Sequence, residues 1–234
     1  MQAGPAAQPS ATLLAAVENN AEWCAAFCRA CGVTGSRRGA IWSANGPAPE
    51  LYPKLVTLRP GVSAAEVASL APLPGSAVKD SFQDVDLVAV GFRQLFQASW
   101  LSLRREDLGP DPGGQCSRAG LADELADWVA ESGSDLDVPE SLLDRPEFRA
   151  VLIWRGGRVV AGATVFTTDG FAGVSNLFAH EDPAIAWSTL AHHLLADPLT
   201  RVVGGYEHGC DLSAALAAGA RELGPLTVWL RGPG

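Results

Sequence analysis

Residues 201–230 have the sequence RVVGGYEHGCDLSAALAAGARELGPLTVWL, and this stretch decides the fold. Its apolar start predicts a strand at 201–207. The segment 211–223 has the pattern of a helix, and the alternation at 226–230 predicts a last strand. The chain is therefore expected to close with a strand, a helix and a strand.

The residues before this stretch predict three more strands and a helix. Strands at 148–153 and 158–168 are joined by Gly156-Gly157, a strong hairpin signal. A turn at 169–170 leads to a third strand at 172–178, and a helix follows at 183–195. Antiparallel strands thus come first, and helical crossovers follow them.

The first half of the chain is less regular. Its patterns predict, in order, a frayed tail (1–10), a helix (11–31), irregular surface (35–53), a strand (54–59), a helix capped by Ser63 and Glu66 (63–71), a segment helical in part (76–96), a strand (97–103), a loop (106–118) and a helix (121–129). We expect Asp80 or Ser81 to cap a helix.

Composition limits the class of protein and its partners. The 234 residues are 47% hydrophobic and 18% charged, which is typical of a globular chain long enough for a real core. The net charge of −9 disfavours nucleic acid as a partner. No apolar run is long enough for a membrane span and no signal peptide is recognisable, so a cytoplasmic protein is expected.

The order of elements resembles the core of the GNAT acyltransferase superfamily. The stretch quoted above is similar to that family's penultimate strand, last helix and final strand, and the segments YPKLVTL, KDSF, GFRQLF and GVSNLF resemble phrases of GNAT-like bacterial proteins. The resemblance implies an α/β (α+β) fold with a mixed central sheet, splayed parallel strands and flanking helices. We expect one domain, 1–234, with an N-terminal extension (11–53), a loop-and-helix insertion (104–147) and a best-matching core (148–234).

The resemblance also implies a site for an acyl-CoA co-substrate. In this family two central strands part, their backbone binds the pantetheine arm, and the next helix directs its N-terminal amides at the pyrophosphate. The positions that match are Leu177, Phe178, Ala184, Ile185 and Ala186. Glu181 and Asp182 depart from the family pattern, because two carboxylates there would repel a phosphate.

A second departure concerns the general acid. Many members of the family carry a tyrosine on the last helix, four residues before the glycine of a Leu-Gly turn. With the turn at Leu223-Gly224, that position is Ala220. The usual protonation of the leaving thiolate is therefore in doubt.

The candidate acceptor site lies at the ends of the two central strands. Glu207 is the expected general base and Tyr206 its catalytic neighbour, although Glu207 could equally bond the following turn. Substrate-binding candidates are Ser175, Asn176, Lys79 and His208. Lys79 could reach an anionic substrate. His208 could act as a base, but the role of a polar residue in the turn after the strand is favoured. No metal-binding set is recognised, since His192 and His193 face different directions.

The resemblance implies an acyltransferase that moves an acyl group from a thioester, acyl-CoA in the first instance, to the amine of a small molecule. The alternative is a degenerate GNAT fold that binds a small ligand or partner without transfer, or an enzyme repurposed in specialised metabolism. The sequence does not indicate an oligomeric state.

Three cysteines leave one further alternative open. Cys24, Cys28 and Cys31 have the C-x3-C-x2-C spacing with which radical S-adenosylmethionine enzymes hold a 4Fe–4S cluster. They also lie at i, i+4 and i+7 of a helical pattern that no strand precedes, and such a stripe is typical of core thiols. We expect the core role.

Overall fold

The computed structural model describes residues 8–133 and 137–233. The predicted tail at 1–10 therefore lies mostly outside the described residues, and Ser10 within it caps the first helix. The α-helices are α1 (Ala11–Ala30), α2 (Ala64–Leu70), α3 (Ala122–Ser132), α4 (Pro183–Ala196) and α5 (Gly209–Ala217). The strands are β1 (Gly35–Arg38), β2 (Ile41–Ala44), β3 (Leu55–Thr57), β4 (Ala77–Asp80), β5 (Phe92–Leu103), β6 (Gln115–Arg118), β7 (Phe148–Arg155), β8 (Arg158–Thr168), β9 (Phe171–Ala179), β10 (Val202–Glu207) and β11 (Arg221–Arg231).

All of these strands belong to one mixed sheet in the order β1-β2-β3-β4-β11-β5-β10-β9-β8-β7-β6. The pairs β3–β4 and β9–β10 are parallel, and the other neighbours are antiparallel. Helices α1 and α3 cover one face, while α4 and α5 cover the other. The predicted α/β architecture with a mixed central sheet and flanking helices is confirmed.

Helix α1 is held against the sheet by one buried amide as well as by apolar packing. Asn19 is 2% exposed, and its Nδ2 donates to the carbonyls of Phe166 (2.8 Å) and Phe171 (3.2 Å) and to Oγ1 of Thr168 (2.9 Å). A buried amide must find partners, so this side chain fixes both the position and the rotation of α1 on β8 and β9.

The parallel strands β9 and β10 are paired only where they begin. Their register runs through Val202↔Phe171 and Val203↔Ala172 and ends at Gly204↔Gly173, although both strands continue beyond that pair. We call this parting of β9 and β10 the fork. The splayed parallel strands expected from the sequence are therefore present.

The expectations for the N-terminal half were partly wrong. The segment 35–53, expected to be irregular, contains the hairpin β1–β2, whose turn passes through Gly39 at φ +55°. All four residues of β2 are buried, so the sheet supplies the stabilisation that the short sequence pattern does not reveal. The loop expected at 106–118 likewise ends in β6, which pairs with β7.

The segment 76–96 was wrongly expected to be helical in part. It contains β4, a short 3-10 turn and the first half of β5. Asp80 ends β4 and caps no α-helix, because its carboxylate instead accepts hydrogen bonds from the backbone N–H groups of Phe82, Asp84 and Val85. Burial raises the pKa of Asp80. The local helical pattern is overridden here by long-range pairing with β11.

The last helix is shorter than the sequence suggested. It ends at Ala217, and Gly219 at φ +100° turns the chain directly into β11. Ala220 is therefore not on the helix, and Leu223 and Gly224 lie within β11 at a register shift. The position assigned to the family tyrosine was wrong for this reason.

Glycine at the fork should be required for stability. A Cβ at Gly205 would lie 2.5 Å from the backbone oxygen of Val174, which is closer than real Cβ contacts allow. We expect Gly205→Ala to lower the free energy of unfolding by about 1–3 kcal/mol, as overpacking does, in urea titrations. Gly109→Ala is the matched control, since a Cβ there meets nothing within 4 Å. Equal stabilities of the two variants would contradict the described spacing of the fork.

Candidate active site

An open cavity of about 1050 Å³ lies beside the fork, on the face of the sheet that α1 covers. Ser175 and Asn176 from β9 and Tyr206 from β10 line it at the fork. Asn20 of α1 and Lys79 of β4 line it next to them. Four of the residues predicted for the acceptor site are thus brought together from three distant strands.

A bulge in β9 accounts for the parting of the two strands. The pairing of β8 with β9 shifts register between Gly162↔Phe178 and Thr164↔Ser175, and Asn176 has φ +51°. Oγ1 of Thr164 donates to the carbonyl of Ser175 (2.9 Å) and accepts from Nδ2 of Asn176 (3.1 Å). A bulge bends its strand and increases its twist, so it turns β9 away from β10.

One polar part of the cavity wall is built around a buried lysine. Lys79 is 3% exposed, and its Nζ donates to Oδ1 of Asn20 (2.6 Å) and to the hydroxyl of Tyr206 (3.1 Å). The ring of Trp100 meets that of Tyr206 edge-on at 5.4 Å. Sγ of Cys24 lies 3.9 Å from the same Asn20 oxygen. We call Lys79, Asn20 and Tyr206 the lysine cluster.

Glu207 and His208 are not brought to the cavity. Adjacent strand residues point to opposite faces, so Glu207 lies on the α4–α5 side while Tyr206 faces the cavity. Burial, aided by the charge of Asp211 in the first turn of α5, raises the pKa of Glu207 to about 7. His208 precedes α5 and packs its ring on that of Phe96 at 4.9 Å.

The first turn of α4 has the expected position, but its backbone N–H groups already donate hydrogen bonds to Asp182. Pro183 has no N–H, and the N–H of Ala184 donates to the side chain of Asp182 (2.9 Å). The N–H groups of Ile185 and Ala186 donate to the carbonyl of Asp182 (3.1 and 3.2 Å). An incoming phosphate would have to compete with these bonds.

Glu181 is not the free negative charge that its position in the sequence suggested. Its carboxylate pairs with Arg155 at 3.2 Å and with Arg158 at 2.5 Å, from the hairpin between β7 and β8. One carboxylate is thus paired with two guanidinium groups, which leaves one positive charge beside the negative charge of Asp182 at this end of α4. The repulsion of an anion by two carboxylates, expected from the sequence, is thereby reduced.

The two remaining cofactor candidates pack on opposite faces of β9. Leu177 contacts the apolar cluster under α4, whereas Phe178 lies on the other face and meets Trp128 of α3 edge-on at 5.7 Å. Their backbone, beyond the last β9–β10 pair, is the part that faces the fork.

Two of the three cysteines at α1 have the expected core role, and the expectation was wrong for the third. Cys24 and Cys28 are buried in the core, and Cys31 is exposed at the end of the helix. Burial raises the pKa of all three thiols, to about 12 for Cys28, which disfavours the thiolate that a metal would need. Within residues 8–133 and 137–233, no group of three or more His, Cys, Asp or Glu side chains is arranged to hold a metal.

The sequence did not reveal the contribution of α1 to the cavity. Asn20 and Trp23 both line it, and Asn20 accepts the hydrogen bond from Lys79. The available signal was the pair Asn19-Asn20 within a helical pattern, since adjacent amides require partners if they are buried. Both amides are bonded across more than fifty residues of sequence, which no local pattern could show.

Comparison with solved structures identifies the fold. A GCN5-related N-acetyltransferase from Kribbella flavida superposes with a TM-score of 0.66 at 17% identity, over 94% of this chain and 96% of that one. A functionally unknown conserved protein from Staphylococcus epidermidis gives 0.62 at 8% identity, over 85% and 93%. An acetyltransferase of the GNAT family from Colwellia psychrerythraea gives 0.52 at 13% identity, over 96% and 97%.

No protein-family profile and no curated protein matches the sequence. The chain therefore has the GNAT fold, at sequence identities that establish the fold and leave the reaction to be argued from the site. The resemblance inferred from the sequence is confirmed at this level. In the part of the chain that the structure describes, no helix is long and apolar enough to cross a membrane.

The raised pKa of Glu207 predicts a specific pH dependence of stability. The folded chain holds this proton up to about pH 7, whereas the reference carboxyl releases it at 4.5. The contribution of Glu207 is therefore fully present below pH 4.5 and is lost as the pH rises through 7. Relative to Glu207→Gln, we expect the unchanged chain to lose about 3 kcal/mol of unfolding free energy between these values.

Urea titrations at several pH values measure this difference, and subtraction of the variant cancels the other carboxylates. Glu222→Gln, at an exposed position of β11, is the control and should leave the pH profile unchanged. Parallel profiles for the unchanged chain and Glu207→Gln would show that Glu207 is solvated in the folded state.

Proposed function

We propose that this chain is an acyltransferase that moves an acyl group from a thioester, acyl-CoA in the first instance, to the amine of a small molecule. The observation that carries the proposal is the fork opening onto the cavity: strand edges freed from pairing lie beside a space large enough for a small substrate. Unpaired backbone donors can hold an elongated donor and the oxygen of its thioester carbonyl.

The two faces of the fork would divide the two substrates. The acceptor amine would enter from the cavity, where Ser175, Tyr206 and Lys79 meet. The donor would lie towards α4 and α5. The amine nitrogen would attack the thioester carbon, the C–S bond would break, and the thiolate would leave.

Glu207 would take the proton that the amine loses. A base with a pKa of about 7 is half ionised near neutral pH and still basic enough to accept a proton, which is the condition for general-base catalysis. Because its side chain lies across the sheet from Tyr206, it would act through the fork, directly or by one water molecule.

The proposal is tested by release of free thiol from a panel of acyl-CoA donors in the presence of a mixed library of small amines. We expect amine-dependent release, and Glu207→Gln should slow it by about 10²–10⁴-fold, as the loss of a general base does. The control is Cys210→Ser, which changes an exposed thiol in the first turn of α5 and should leave the rate unchanged. Absence of thiol release with every donor and every amine would contradict acyl transfer.

A second candidate function is ligand binding without transfer. One observation favours it: the amides of the first turn of α4 are bonded to Asp182 and are not directed at a ligand. In that case the cavity would hold its ligand, and no thioester would be consumed.

Substitution of Asp182 separates the two candidates. If CoA is the donor, Asp182→Gly should strengthen CoA binding, because it frees the N–H of Ala184 and removes a negative charge at the helix N-terminus. Glycine is a tolerated cap, so the stability loss should be only a few tenths of a kcal/mol. Asp182→Asn keeps a capping side chain and removes only the charge. Calorimetric titration with CoA that detects no binding to any of the three chains would favour the ligand-binding candidate.

A further inference from the structure

We propose that the cavity binds a small amino carboxylate, an amine with a nearby carboxylate and an apolar remainder, and that Lys79 binds the carboxylate. This inference rests on the proposed function in one respect, that the molecule in the cavity is the acyl acceptor. It adds the chemical class of that acceptor and the side chain that selects it.

The first support is a buried cation without a counter-ion. Lys79 is 3% exposed and, in the described part of the chain, forms no salt bridge. Its two hydrogen-bond acceptors, Asn20 and Tyr206, are both neutral. Buried charges are normally paired. Because Lys79 lines a cavity, an anionic ligand in that cavity can supply the missing counter-ion.

The second support is the number of donors. An ammonium group has three N–H bonds, and two are accounted for by Oδ1 of Asn20 and the hydroxyl of Tyr206. The two acceptors, together with the ring of Tyr206, whose centroid lies 4.3 Å from Nζ, fix the position of Nζ, and the third N–H bond has no hydrogen-bond acceptor among the described residues. A carboxylate oxygen can accept that donor, and the bond would be charge-assisted.

The charge of the whole cavity supports an anionic ligand. Among the described residues that line it, Arg38, Lys54 and Lys79 are cations and Glu50 is the one carboxylate. The chain as a whole carries a net charge of −9, so this surplus of positive charge is local. Lys54 also donates to two neutral acceptors, the carbonyls of Ala44 and Gly46, but Lys79 is the cation that contacts Tyr206 of β10 and therefore lies next to the fork.

The distance between the lysine cluster and the fork limits the size of the ligand. Nζ of Lys79 lies 3.1 Å from the hydroxyl of Tyr206, and Tyr206 is the second residue of β10 beyond the last pair with β9. A carboxylate on Lys79 therefore lies about one side chain away from the point where the thioester would be attacked. The amine must then lie within about that length of the carboxylate, a limit that small amino acids satisfy.

The mouth of the cavity is apolar and suits the remainder of such a molecule. Leu51, Leu73 and Leu95 line it and are 75%, 60% and 47% exposed. Large exposed apolar side chains gathered at a cavity mark a binding surface. An aliphatic or aromatic side chain that extends from the carboxylate towards the mouth would cover them.

Calorimetric titration of the full chain, without any acyl donor, tests the inference with three matched probes. Leucine carries both groups, 3-methylbutylamine is leucine without its carboxylate, and 4-methylpentanoate is leucine without its amine. We expect the two carboxylates to bind, and 3-methylbutylamine to bind about tenfold or more weakly than leucine, the ratio typical of a lost charge-assisted bond. The phenylalanine series, with 2-phenylethylamine, repeats the comparison with a larger side chain.

Variants assign the selectivity to one side chain. Lys79→Met should weaken leucine binding by about tenfold or more and leave 3-methylbutylamine unchanged. Arg38→Met removes a cation of the same cavity from an exposed position and should leave leucine binding within about threefold. If Lys79→Met does not fold, the comparison of probes on the unchanged chain still decides.

The inference is overturned if 3-methylbutylamine binds as tightly as leucine, if neither probe series binds at millimolar concentration, or if Arg38→Met weakens leucine binding as much as Lys79→Met does. Its failure is distinguishable from failure of the proposed function. Carboxylate-dependent binding without any thiol release would remove acyl transfer and leave the inference. Thiol release as fast with 3-methylbutylamine as with leucine would remove the inference and leave acyl transfer.

Discussion

The architecture of the site depends on the incomplete pairing of β9 and β10. Gly173 and Gly204 form the last pair, and the bulge at Asn176 turns β9 away immediately afterwards. Beyond that point each strand keeps its other neighbour, β8 or β5, so the sheet remains continuous while one internal edge is open. An unpaired edge inside a sheet is costly unless something binds to it, because its backbone groups lose water without gaining partners. The fork is for this reason the natural place for a ligand.

Local sequence patterns carried enough information for the C-terminal part of the fold but not for the N-terminal part. Strands β7 to β10 and helix α4 are joined in sequence by short turns, so their patterns and their neighbours coincide. By contrast, β4 and β5 pair with β11, more than a hundred residues away. Their stabilisation comes from that distant strand, which explains why a helix was wrongly expected in 76–96. Likewise, the length of α5 is set by where β11 joins the sheet.

The candidate site was predictable as a set of residue types but not as a geometry. One cavity is lined by Ser175, Asn176, Lys79 and Tyr206, which come from three strands of the same sheet. Successive residues of a strand point to opposite faces of the sheet. This rule alone would have assigned Tyr206 to one face and Glu207 to the other. Asn20 could not be found in this way, because its partner Lys79 lies 59 residues further along the chain.

The two ends of the proposed substrate path differ in how ready they are for a ligand. At the first turn of α4 the amides are bonded to Asp182, and Glu181 is paired with two arginines, so the groups that could bind a phosphate already have partners. At the lysine cluster Lys79 has no counter-ion among residues 8–133 and 137–233, and one of its donors remains for a ligand. The same sheet supports both ends, so the residues of one end can differ between proteins of this fold without a change at the other. Under the proposed function the cavity end is therefore the better prepared of the two, and the donor would have to bind without free amides at α4.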